Sequence, residues 1–144
     1  PAAREFIQPL SFRILSGNPV FVDQFQPERG FDPLHISLAE RADVVVVAPA
    51  TADFIGRISA GLAGDLLSAV IMACKSPVLI APAMNSNMFN NCIVQENIKK
   101  LKNFGFQFVD PESGYLACGY KGPGRLASID KIIKKIELLL TGSV

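Results

Sequence analysis

The chain has 144 residues, enough for one domain with a sizeable core. Its 14 lysines and arginines against 13 aspartates and glutamates give a net charge of only +1, without the basic excess that marks a nucleic-acid binder. Hydrophobic residues make up 49% of it, yet no apolar run approaches the roughly 20 residues that span a bilayer. Buried parallel strands or a buried subunit interface account for such apolarity better than a membrane does. The three cysteines, Cys74, Cys92 and Cys118, are an odd number without C-x-x-C spacing. That argues against a disulfide framework or a zinc site and suits a reducing cytoplasm. The opening PAAREF has no signal-peptide profile.

In chain order, 2–7 and 9–17 read as two short helical segments. Residues 17–33, dense in Pro and Gly, read as a connection with a short extended piece at 20–22. Asp32 as N-cap and Pro33 as first helical residue predict a helix to about Arg41. DVVVVAPA follows, a β-branched run without polar alternation, as in a strand buried on both faces. Thr51 then reads as the N-cap of a helical stretch broken near Gly61–Gly64. SPVLIAPA is a second apolar strand, and both Ala-Pro-Ala segments are expected to end their strands at the proline, which has no N–H to donate. A helix with Ile93, Val94, Ile98, Leu101 and Phe104 on one face stops at Gly105. FQFVD is a third strand. Ser113–Arg125, with four glycines and a proline in thirteen residues, reads as an irregular loop. Ser128 caps a last helix with Ile129, Ile132, Ile133, Ile136 and Leu140 as its apolar stripe. This alternation predicts an α/β fold with a parallel sheet. Because the chain opens inside a helix, one or more preceding β-α units are expected to lie outside it.

In such sheets ligands bind beyond the carboxyl ends of the strands, where Thr51-Ala52-Asp53 and Met84-Asn85 fall. Helix-start N–H groups after Thr51 suit a phosphate or another acceptor, although a plain strand-to-helix cap has the same residues. His35 is the only histidine. In the first turn of a helix it can accept a proton on one ring nitrogen and donate from the other, whereas most lone histidines are structural. Cys118 lies in ACGYKGPGR, where Lys121 and Arg125 suit either a reactive thiol under a lid over an anion or a mere surface loop. Cys74 and Cys92 read as small hydrophobes in helical settings.

Together, HISLAERADVVVVAPATAD, PVLIAPAMNSNMF and SGYLACGYKGPGRLAS resemble the flavin-dependent cysteine decarboxylases. Among these, the match is nearest to the phosphopantothenoylcysteine decarboxylases and the decarboxylase domain of bifunctional coenzyme A biosynthesis flavoproteins. The resemblance covers nearly the whole chain. It implies a flavodoxin-like, Rossmann-type three-layer sandwich lacking its first β-α unit, with residues 1–144 as a single domain and no synthetase domain. It further implies an FMN-dependent lyase in the cytoplasm, assembled as a trimer or a multiple of trimers with FMN at subunit contacts, and neither nucleic acid, membrane nor metal as partner.

The implied reaction converts 4′-phospho-N-pantothenoylcysteine to 4′-phosphopantetheine. Oxidation of the cysteine thiol to a thioaldehyde places a C=S group where it can take up the electrons left by departing carbon dioxide. The resulting enethiol is then reduced to the saturated thiol. By resemblance, His35 serves the oxidative decarboxylation, Asn85 holds the substrate and Cys118 donates the final proton. Thr51, Ala52, Asp53, Phe54 and Ala83 match cofactor-binding positions, and Met84, Lys121 and Arg125 join Asn85 around the substrate. Position 53 is Asp where stand-alone eukaryotic relatives carry Asn. A decarboxylase of peptidyl cysteine and a non-catalytic regulatory subunit of the same fold are the alternatives; a flavin prenyltransferase would have no evident use for the His and Cys motifs.

Overall fold

Three short strands, β1 (Val45–Ala50), β2 (Val78–Pro82) and β3 (Gln107–Phe108), pair in parallel in the order β1-β2-β3. The computed structural model describes residues 2–25, 33–115, 119 and 121–142. β1 and β2 are apolar without alternation because both faces of the sheet are covered; all five residues of β2 are buried. Between β1 and β2 the chain forms α3 (Ala52–Ser59) and α4 (Leu66–Ala73); between β2 and β3 it forms α5 (Ser86–Phe89) and α6 (Cys92–Asn103). Each connection steps the same way across the sheet, so right-handed crossovers place their helices on one face. That face carries Val45, Val47, Val78 and Ile80, packed with Ile55 and Ile58 of α3, Val70 and Ile71 of α4, and Ile98 and Leu101 of α6. The preceding helix α2 (Leu34–Arg41) joins them through Leu34 and Ala39. The alternate residues Leu79 and Ala81 face the other way and pack with Ala127 and with Ile132 of α7 (Ile129–Leu140). The expected α/β sandwich with helices on both faces of a parallel sheet is therefore present.

Local chemistry sets the element ends. The Thr51 hydroxyl accepts from Phe54 N–H at 3.2 Å, the cap the sequence predicts. Asp65 caps α4 in a reciprocal box with Ser68: its carboxylate accepts from Ser68 N–H at 2.9 Å while Ser68 Oγ accepts from Asp65 N–H at 3.1 Å. α6 ends at Gly105, whose φ of +93° only glycine adopts easily.

Several expectations are corrected. β2 ends at Pro82 as expected, but β1 runs through Pro49: after a register irregularity between Val47 and Ala50, Ala50 pairs with Pro82 and Ala83 N–H donates to Ala50 O at 3.0 Å. Proline removes a donor but keeps its carbonyl, so the ladder skips Ala48-Pro49, joined by a cis peptide bond, and resumes. Pro33 occupies the N-cap of α2 and helical geometry begins at Leu34; the expected cap Asp32 lies outside the described residues. Residues 20–22 form no strand, although Phe21 packs against the core.

Ser113–Arg125 is not irregular throughout: β4 (Glu112–Tyr115) and β5 (Lys121–Arg125) form an antiparallel hairpin. Of the α7 stripe only Ile132 is buried, while Ile129, Ile133 and Leu140 are exposed, because a sheet three strands wide offers α7 little to cover. On α6, Ile98 and Leu101 are buried but Ile93 and Phe104 are exposed; Cys92 is exposed too, unlike the small core residue the sequence suggests.

Candidate functional site

Both strand-to-helix junctions lie at the carboxyl edge of the sheet, and each presents a helix start. At the first, the Thr51 hydroxyl satisfies Phe54 N–H, leaving the leading N–H groups of Ala52 and Asp53 ahead of the first intrahelical bond. Such a start attracts an anionic or carbonyl oxygen through its aligned dipoles. The Asp53 carboxylate would oppose an anion there, but it is drawn along the helix onto Arg57 Nε at 3.0 Å. Phe54 turns its ring into the core, with Arg57 5.5 Å above the ring centre.

Arg57 also donates from Nη1 to Asp65 at 2.6 Å, bracing the end of α3 against the start of α4. The bond to Asp65 raises the Arg57 pKa against a smaller opposing effect of burial. Burial by itself would raise the Asp65 carboxyl, but the bonds from Ser68 N–H, Arg57 and the Ser68 hydroxyl outweigh it and hold Asp65 below the usual range.

At the second junction Ala83, Met84 and Asn85 are half-buried, and Asn85 is the N-cap of α5. Its Oδ1 accepts from Asn87 N–H at 2.8 Å. With the oxygen end held by the backbone, the nitrogen end of the amide is the end that can donate to a ligand acceptor such as a carboxylate. The hairpin rests on this turn: Met84 N–H donates to Gly124 O at 2.9 Å. The root of the hairpin is tied to α7 through Glu112 Oε1, which accepts from Lys131 Nζ at 2.8 Å and from Ser128 N–H at 3.3 Å. The bond from Lys131, aided by Ser128, holds the Glu112 carboxyl below its ordinary range.

His35 is half-buried in the first turn of α2. The far end of that helix is fastened at the amino edge of the sheet: Cys74 Sγ lies 3.7 Å from Ala39 O, and Ser76 Oγ donates to Ala42 O. Its N-terminal end, with His35, is thus directed toward the carboxyl edge. Arg125 is exposed on β5, its side chain lying across Gly114 of β4. The backbone of Lys121 pairs with Tyr115, and Cys118 lies outside the described residues.

What sequence reasoning missed at this edge is the hairpin seam, in which Gly122 and Gly124 face Ser86 and Met84, and the Arg57 brace. The G-x-G spacing, which puts two glycines on one face of an extended segment, was the available signal.

A cleft of about 930 Å³ opens at the opposite edge, among Ser59, Cys74, Val78, Lys100, Phe104 and Gly142. The carboxyl ends of α3, α4, α6 and α7 gather there, so their dipoles present negative charge. It is spacious, but the helix starts that suit a phosphorylated cofactor lie at the other edge. Among the described residues there is no cluster of metal-ligating side chains, and no helix is long and apolar enough to cross a membrane.

Comparison with known proteins gives a consistent picture. The Flavoprotein family model matches residues 1–141. The coenzyme A biosynthesis bifunctional protein CoaBC of Haemophilus influenzae is 42% identical over 137 residues, which cover 95% of this chain and 34% of that protein. A probable phosphopantothenoylcysteine decarboxylase of Streptococcus mutans is 41% identical over 94% of this chain and 77% of its own length. The chain thus spans about a third of the bifunctional relatives it matches (34%). Among solved structures, the FMN-dependent cysteine decarboxylase SpaF superposes with a TM-score of 0.83 at 30% identity, covering 99% of this chain and 75% of that one. A PPC decarboxylase cysteine-to-serine mutant complexed with pantothenoylaminoethenethiol superposes at 0.79 and 32% identity, covering 84% and 70%.

Proposed function

The chain belongs to the Flavoprotein family, and from that premise we propose that it is the decarboxylase domain of an FMN-dependent lyase converting 4′-phospho-N-pantothenoylcysteine to 4′-phosphopantetheine. The observation that carries this reading is the placement of Asn85, half-buried at the N-cap of α5 on the carboxyl edge, with its amide oxygen bonded to Asn87 N–H. A flavin fits the adjacent junction, where helix-start N–H groups stand beside a carboxylate already paired with Arg57. When bound, FMN supplies a two-electron oxidation of the cysteine thiol to a thioaldehyde and returns the electrons to the enethiol formed after carbon dioxide leaves, so the overall reaction is redox-neutral.

The chain's own residues bind and move protons. The N–H groups that open α3, with Thr51, Ala52 and Asp53, hold the cofactor's polar groups; Phe54 and Ala83 complete its wall, Phe54 from behind as a core residue. Asn85 orients the substrate carboxylate, with Met84 beside it and Lys121 and Arg125 supplying positive charge to the phosphorylated end. His35 accepts or positions the proton lost in the oxidative half. Cys118 delivers the proton to carbon at the last reduction.

The same reading makes residues 1–144 one domain of a cytoplasmic homo-oligomer, a trimer or a multiple of trimers. Its support is α1 (Pro9–Ser16), which buries none of its residues while Leu10, Phe12, Ile14 and Leu15 stand exposed.

The test is the full-length protein purified with its flavin spectrum and incubated with phosphopantothenoylcysteine. Mass spectrometry should show loss of carbon dioxide with the thiol retained, and an unchanged substrate would refute the reading. The likeness to SpaF favours, as second reading, a different cysteine-bearing substrate, so a peptide ending in cysteine belongs in the same assay.

A further inference from the structure

We propose that Gly122 and Gly124 are positioning residues whose bare backbone lets β5 lie flat on the Met84–Ser86 turn and thereby sets the pose of Asn85. This deepens the proposed decarboxylase function, and its activity arm rests on that reading.

Four observations converge. Gly122 and Gly124 are two residues apart on β5 and so share a face of the strand. Met84 N–H donates to Gly124 O at 2.9 Å, which fixes the turn on one side of Asn85. A Cβ at position 124 would collide with the Met84 carbonyl oxygen, a backbone atom that cannot turn aside, and the φ of +131° there disfavours any side chain. On the other side of Asn85, a Cβ at position 122 would collide with Ser86 Oγ and come within 3.3 Å of Ser86 Cβ.

That Ser86 hydroxyl is buried and, among the described residues, has no hydrogen-bond partner. An unpaired buried hydroxyl is costly, and this one lies against the backbone of β5 at Gly122. Asn85 is therefore flanked by strand contacts at both neighbours while its own carbonyl accepts from Phe89 N–H at 2.9 Å. A group that must meet a carboxylate within hydrogen-bond reach is sensitive to this seating, since a misplacement of about 1 Å can cost on the order of a hundredfold in rate.

The experiment uses the full-length, flavin-loaded protein. Gly122→Ala should lower kcat/KM for phosphopantothenoylcysteine by about tenfold to a hundredfold, with the flavin spectrum and melting temperature near those of the parent. Adding Ser86→Ala removes the atom that the new methyl group meets. The double variant should return to within about threefold of Ser86→Ala alone, the coupling expected of residues in contact. Gly124→Ala meets backbone, so Ser86→Ala should not relieve it, and the Met84 amide should exchange its hydrogen at least about tenfold faster.

The proposal is overturned if Gly122→Ala turns over like the parent, if Ser86→Ala fails to relieve the loss, or if Gly124→Ala leaves the Met84 amide protected. Should the parent protein fail to turn over this substrate, the decarboxylase reading falls by itself. The seam is then judged by exchange alone: Met84 and Asn87 amides faster in Gly122→Ala and slowed again in the double variant support it, and unchanged amides overturn it. Should Gly124→Ala not fold, the Gly122 and Ser86 pair decides.

Discussion

In the proposed reaction Asn85 has two tasks at one atom's remove from each other. Its oxygen caps α5 through Asn87 N–H at 2.8 Å, and its nitrogen is the donor assigned to the substrate. Aspartate would keep the cap, since a carboxylate accepts from the same N–H equally well, but it would lose the donors and set like charge against a carboxylate. Asn85→Asp should therefore fold normally by circular dichroism and weaken substrate binding by about 2 kcal/mol or more, read as a rise in KM or by calorimetry. Unchanged affinity would remove Asn85 from the substrate site. The proposed role of Cys118 separates the two halves of the chemistry: Cys118→Ser should still release carbon dioxide and accumulate the enethiol, whereas full conversion to phosphopantetheine would refute that role. At position 86 a buried hydroxyl without a partner among the described residues lies where two elements approach closely.

Among the elements, the start of α4 depends on one carboxylate. Asp65 accepts from Ser68 N–H and from Arg57, and its pKa is held below the ordinary carboxylate range. A group lowered in the folded state contributes stability that is complete above its unfolded pKa, about 3.9, and is lost as pH falls through the folded value. Glu112, also lowered, acts with the same sign at the root of the hairpin. The melting temperature should thus be flat through neutral pH and fall below about pH 4. Asp65→Asn keeps the cap but removes the charge, so it should lower stability at neutral pH and flatten the acid decline; an unaltered acid profile would show that the Arg57 brace contributes nothing. The strand β2 makes a different demand. Leu79 is fully buried between the sheet and α7, and Leu79→Ala should cost about 3 kcal/mol in denaturant unfolding, the usual cost of a cavity in a packed core.

Across the whole molecule, apolar surface is distributed unevenly. One face of the sheet is sealed by α2, α3, α4 and α6, whereas the other has α7 alone among the described residues. Phe6 and Leu15 are 89% and 84% exposed, and α1, which carries Leu15, buries none of its residues. Exposed apolar residues on one helix are the support for the proposed assembly. Phe12→Asp with Leu15→Asp should shift the full-length protein from trimer toward monomer by light scattering; a monomeric parent would refute the proposed assembly.

The sequence by itself determined the alternation of strands and helices, the Thr51 cap, the break at Gly61–Gly64 and the Gly105 stop, because each follows from neighbours in the chain. It also pointed to the Ala-Pro-Ala junctions as the ligand edge, since unalternating strands imply a parallel sheet and a parallel sheet has its helix starts there. Only the tertiary structure decided that the ladder resumes beyond Pro49, that Asn85 spends its oxygen on a cap, and that the glycine-rich segment pairs as β4 and β5. Those outcomes depend on partners distant in sequence. Glycine at 122 and 124 reads locally as freedom, and becomes a requirement for contact once β5 lies against Met84 and Ser86.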